Sequence, residues 1–134
     1  MVSIKSNKTV INQSSEEVYN YLSIPENYRI LMPSKVRSFE STAEAAKLDI
    51  EGIGVVELAF TTLNAPNFIE LKPQNKVPFE FNLQWEIKHL DNKKTEVQAT
   101  INAKLNFMMK MMAEKVLKDF LDVQVHKLTK HLND

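Results

Sequence analysis

The residues of this 134-residue chain that could do polar chemistry are three histidines, two arginines, a serine pair and scattered carboxylates. His126 and His131 are five positions apart, one more than the i, i+4 spacing that lets two helical imidazoles share a metal, and His89 falls at a strand end beside a lysine-rich turn. No metal site is expected; near the end of a helix, His126 and His131 instead complement its dipole. Ser14 and Ser15 lack the Gly-x-Ser-x-Gly surroundings of a hydrolase nucleophile, and helix capping accounts for them. Glu57 lies among Val55, Val56, Leu58 and Ala59; turned inward, burial would raise its pKa and suit it to general-base work. Strand alternation makes Val56, Leu58 and Phe60 the stronger inner face, so a solvated, outward Glu57 is expected. Arg29 and Arg37, the only arginines, are placed for a fork-like carboxylate contact or for plain surface ion pairs. No catalytic residue is assigned and no cofactor is expected.

Apolar side chains carry a stronger signal. Phe79, Phe81, Leu83, Trp85 and Ile87 share one strand parity while Glu80, Asn82, Gln84, Glu86 and Lys88 share the other. A cluster of methionines, Met108, Met109, Met111 and Met112, points in four directions around a helix, so one core face cannot bury them all. Unbranched, polarizable side chains repack around ligands of different shape. The candidate ligand-binding set is therefore Phe60, Phe81, Leu83, Trp85, Met108, Met109, Met112, Val116 and Phe120. Ordinary core packing is the plainer account of each aromatic taken singly, and a protein interface is a third account of the methionines.

The elements that must position these side chains follow from the pattern. Ile4 to Asn12 predicts a first strand, and Ser14-Ser15-Glu16-Glu17 a capping box that starts a helix. Pro25 begins a second short helix that Pro33 ends. Period-two runs predict strands at about 35–42, 46–51, 54–63 and 67–72. Gly52-Ile53-Gly54 marks a hairpin between two of them rather than a phosphate cradle, which needs consecutive N–H groups and usually a helix N-terminus. Pro78–Ile87 and Thr95–Leu105 form the last two strands, joined at Leu90–Lys94. Phe107 to Leu132 has no Gly or Pro and predicts one long helix, with Met109, Ala113, Val116, Phe120 and Val123 along a stripe widened by Met112, Leu117, Leu121 and Leu128. The fold class is α+β: a curved antiparallel sheet of about seven strands around a C-terminal helix, in one domain over 1–134, suited to enclosing an apolar cavity.

Composition removes other classes. Seventeen basic and 17 acidic residues cancel, leaving no long-range field to steer the chain onto nucleic acid. There is no cysteine, so disulfides and thiol chemistry are excluded. No run approaches the ~20 apolar residues that span a bilayer, so no stable membrane insertion is expected and a cytoplasmic location is.

Strand, two small helices, antiparallel strands and one closing helix is the order of the helix-grip fold. Through Ile11–Leu22, Pro25-Glu26-Asn27-Tyr28 and the closing helix, the sequence resembles the START-like (SRPBCC, Bet v 1-like) superfamily over essentially its whole length. Leu31-Met32-Pro33 and Leu105–Met109 resemble a branch of small proteins within it. Glycine-rich loops prominent in the plant-allergen branch are reduced here to Gly52-Ile53-Gly54. The resemblance implies binding or transport of a small hydrophobic or lipid-like molecule between sheet and helix. A polyketide cyclase or dehydrase reaction in the same cavity and a co-chaperone-like interaction module are the alternatives it leaves.

Overall fold

A computed structural model describes residues 1–133. Eight strands form one antiparallel sheet: β1 (Val2–Lys5), β2 (Thr9–Ile11), β3 (Val36–Ser41), β4 (Ala45–Ile50), β5 (Gly54–Asn64), β6 (Phe68–Pro73), β7 (Phe81–Asp91) and β8 (Lys94–Ala103). Their order is β1-β8-β7-β6-β5-β4-β3, with β2 also paired to β8. Helix α1 (Ser15–Leu22) and a 3₁₀ helix (Pro25–Leu31) lie between β2 and β3, and α2 (Phe107–Asn133) closes the chain. This is the helix-grip arrangement.

Local chemistry sets the boundaries. Ser14 caps α1, its Oγ accepting from the Glu17 N–H at 3.2 Å. Met32 is extended at ψ 135°, as a residue before proline must be, and the 3₁₀ helix stops there. Asn106 caps α2 in the same way, Oδ1 accepting from the Met109 N–H at 2.9 Å. Gly52, at φ +88°, turns β4 into β5 with Ile53 N–H bonding the Ile50 carbonyl at 3.0 Å.

Two expectations are corrected. The single first strand over Ile4–Asn12 is two strands, because residues 6–8 bulge opposite 98–99. There the Ser6 hydroxyl, in place of a backbone carbonyl, accepts from the Ala99 N–H at 3.0 Å. The Phe-rich strand starts at Phe81 rather than Pro78, since Pro78 has no N–H for a ladder; Phe79 is nonetheless buried.

The inner face of the sheet follows the alternation. Trp85 pairs with Ala99 and Ile69, and Leu83 with Ile101 and Leu71, all buried. A large ring beside a small alanine fills the layer without strain. Helix α2 buries Leu117, Phe120, Leu121, Gln124, Val125 and Leu128, so its buried stripe begins a full ten residues after its start. Met112, placed on that stripe by periodicity, is 75 % exposed; before Leu117 the first turns of α2 bury no side chain fully, and only Met109, Ala113 and Val116 are half-buried among its apolar ones.

Candidate functional site

The backbone of α2 runs against β1, β2, β8 and the 3₁₀ helix and stands off from β4, β5 and β6. Side chains fill the gap, incompletely. One void of about 10 Å³ is bounded by Tyr28, Met32, Phe39, Leu71 and Gln124 among others, and a second of about 20 Å³ by Ile53, Val56, Phe79, Phe81, Ile101 and Leu117. Leu48, Leu58, Leu83 and Phe120 line both. Either void has room for about one water, far below the ~300 Å³ of a pocket that encloses a drug-sized ligand. Admission of a larger molecule requires the shared wall to move, and Phe120 is the part of it carried by the helix.

Polar groups at this interior are few. Among the described residues, the Tyr28 phenol is the only ionisable group lining either void. Its hydroxyl donates to the Leu22 carbonyl at 2.7 Å, and burial pushes its pKa well above the usual range. Trp85 Nε1–H lies beside that hydroxyl without meeting hydrogen-bond geometry, and is a buried donor with no partner. Gln124 is 1 % exposed and its Oε1 likewise has no partner.

Outside, the 3₁₀ helix is clamped. Arg29 closes on Glu26 through Nε to Oε2 and through a second guanidinium nitrogen to Oε1 at 3.0 Å, donates to the Phe39 carbonyl at 3.1 Å, and lies 4.8 Å over the Phe39 ring. Hydrogen bonds from Arg29 and then Ser41 hold the Glu26 carboxyl down at about 2. The fork expected of an arginine near this helix is therefore made within the protein, while Arg37 makes a surface pair with Asp49 at 3.2 Å.

The structure brings together some of the nine candidates and not others. Leu83 and Phe120 line both voids and Phe81 the second. Trp85 is fully buried, Phe60 is half-buried with its ring 6.4 Å from Tyr28, and Met109 and Val116 are half-buried; none of these four lines a void. Met108 and Met112 are 72 % and 75 % exposed. Glu57 is exposed, as the alternation predicts, and His89, His126 and His131 are all at the surface, His131 against Tyr21 at 5.3 Å between rings.

Tyr28 and Gln124 escape the sequence reading. The signal for Gln124 is present: it lies four residues after Phe120, three after Leu121 and four before Leu128, a lone amide in the middle of an apolar stripe. No equivalent signal marks Tyr28.

No family model matches this sequence, and no curated protein matches it. Solved structures do match in shape. The chain is similar to the XoxI protein of Bacillus cereus with TM-score 0.78 at 13% identity, over 100% of this chain and 97% of that one. It is similar to a norcoclaurine synthase point mutant of Thalictrum flavum with TM-score 0.77 at 8% identity, over 98% and 93%. A START superfamily protein of Mycobacterium smegmatis gives TM-score 0.69 at 17% identity, over 97% and 96%. At these identities the likeness is one of fold: the chain has the helix-grip, START-like fold.

Proposed function

We propose that this protein binds a small, largely apolar molecule between the sheet and α2. The observation that carries the reading is the pair of apolar voids sharing Leu48, Leu58, Leu83 and Phe120, in the gap where α2 stands off from β4–β6. Displacing the Phe120 ring joins them into one apolar chamber. The wall lacks the convergent ionisable groups that proton-transfer chemistry uses, which favours carriage over a cyclase or dehydrase reaction. A protein of the same fold, norcoclaurine synthase, has been solved in complex with dopamine and hydroxybenzaldehyde, so the fold accommodates small molecules elsewhere.

The part of α2 free to yield is its N-terminal end. Among the described residues, and apart from the Asn106 cap at its start, every side-chain hydrogen bond between α2 and the remainder of the protein is made at Asp122 or beyond. Segments with few buried contacts open at the lowest free energy.

The test is titration with N-phenyl-1-naphthylamine, an apolar fluorophore, beside native mass spectrometry of freshly purified protein. Saturable one-to-one binding, or a defined co-purified adduct, is the expected result. Absence of both saturation and adduct overturns the reading.

A second reading is favoured by Phe107, Met108, Met111 and Met112, which are 72–77 % exposed and lie on one side of the first turns of α2. An apolar face of this kind docks another surface. Replacing Met108 and Met112 by Lys separates the two readings. Binding inside the protein is unchanged, since neither residue lines a void, while concentration-dependent self-association measured by sedimentation is lost if the face is an interface.

A further inference from the structure

A buried amide with an unpartnered oxygen is unfavourable, and Met or Leu would fill the Gln124 position without that penalty. Gln124 nevertheless sits at the centre of the buried stripe of α2, one turn from Phe120, in the wall of the first void. Its Oε1 is an acceptor waiting for a donor, and no donor of the protein reaches it. The rest of both walls is apolar apart from Tyr28, whose own proton is committed to the Leu22 carbonyl.

We propose that Gln124 selects, within the site proposed above, a ligand with an apolar body and one neutral hydroxyl that donates to Gln124 Oε1. A carboxylate is disfavoured on two grounds. Ionised, it has acceptors only and offers Oε1 no proton. It would also be buried in walls that hold no cation among the described residues, which leaves its charge uncompensated. A hydroxyl carries no such charge, donates one hydrogen bond and still accepts another.

The inference rests on the ligand-binding reading and is tested so that the two fail differently. Three ligands of nearly equal size are titrated calorimetrically at pH 8: 1-octanol, its isomer 1-methoxyheptane, which cannot donate, and octanoate, which is ionised. Octanol is expected to bind about fivefold more tightly than the ether, the value of one ordinary hydrogen bond, with no saturable binding of octanoate. In Gln124→Met the alcohol and the ether converge to within about twofold, because the acceptor that distinguishes them has been removed. Thermal melting confirms that the variant is folded, and the comparison in the unaltered protein stands without it. Equal affinity for alcohol and ether, or octanoate binding as tightly as octanol, overturns the hydroxyl inference and leaves the apolar site intact. Failure of all three to bind overturns both.

Discussion

Phe120 on α2 and Leu83 on β7 both line the two internal voids, together with Leu48 and Leu58, so the helix and the middle of the sheet share one wall of each. In the binding reading proposed above, the voids join when the Phe120 ring moves aside.

Removing that ring tests the geometry directly. Phe120→Ala is expected to lower unfolding free energy by about 3–5 kcal/mol, through lost burial and the cavity left behind. It is also expected to raise affinity for N-phenyl-1-naphthylamine. Chemical denaturation with and without the fluorophore checks both: a destabilised variant that binds no better shows that the voids do not merge.

The opposite change at Gln124 is expected to stabilise. Methionine fills nearly the same volume and removes an acceptor with no partner, so Gln124→Met raises the melting temperature by about 3 °C, near what 1 kcal/mol gives a domain of this size. A fall of similar size would mean that the amide is engaged in the free protein.

Acid and alkali act on different residues. The Glu26 carboxyl is lowered from 4.5 to about 2, so its contribution is present above pH 4.5 and is lost as pH falls toward 2. Both partners are at the surface, and solvent screening keeps that contribution small. In a carboxyl-carbon NMR titration, Arg29→Ala is expected to move the Glu26 midpoint back up toward 4.5; an unmoved midpoint would exclude the fork as the cause. Tyr28 behaves in reverse. Raised from 10.0 by burial, its contribution is complete below pH 10 and is lost as pH rises further, when the unfolded phenol ionises and the folded one does not.

Backbone exchange should divide α2 into two parts. Amides of the first ten residues, where no side chain is fully buried, are expected to exchange much faster than those from Leu117 to Leu128. Hydrogen–deuterium exchange with peptide resolution reads this, and bound ligand is expected to slow the first part. Uniform protection along the helix would contradict the proposed route of admission.

The framework of this fold is written in short-range pattern. Alternation from Phe81 to Ile87 placed Leu83 and Trp85 inward and Glu86 outward, and the Ser14 and Pro25 signals opened the two small helices where they occur. What pattern does not contain is the extent of the sheet relative to the helix. Periodicity treats Met109 and Met112 as it treats Phe120, yet Phe120 is buried, Met109 half-buried and Met112 exposed. The break in the first strand depends on one hydroxyl replacing a carbonyl across 93 positions of sequence, a long-range contact that no local window contains. The voids are subtler still, set by how side chains from β4, β5, β7 and α2 fail to fill a shared space. Gln124 escapes the reading although the polar break it makes in the apolar stripe is present in the sequence; that its oxygen lacks a partner is not.

The C-terminal end of α2 is pinned to the segment ahead of α1, with Asn133 accepting from the Asn12 N–H at 2.7 Å and the Leu132 carbonyl accepting from Gln13 at 2.8 Å. At the other end only the three-residue link Lys104–Asn106 joins it to β8. A rod about 40 Å long, held this way, behaves as a lever. A tilt of roughly 5° about the pinned end would carry Phe107 through about 3 Å and Phe120 through about half of that, and would stretch the Asn7–Asp122 bond on the way. Mechanical advantage would thus lie with whatever touches the methionine-bearing tip, where a weak push would be converted into movement of the Phe120 ring.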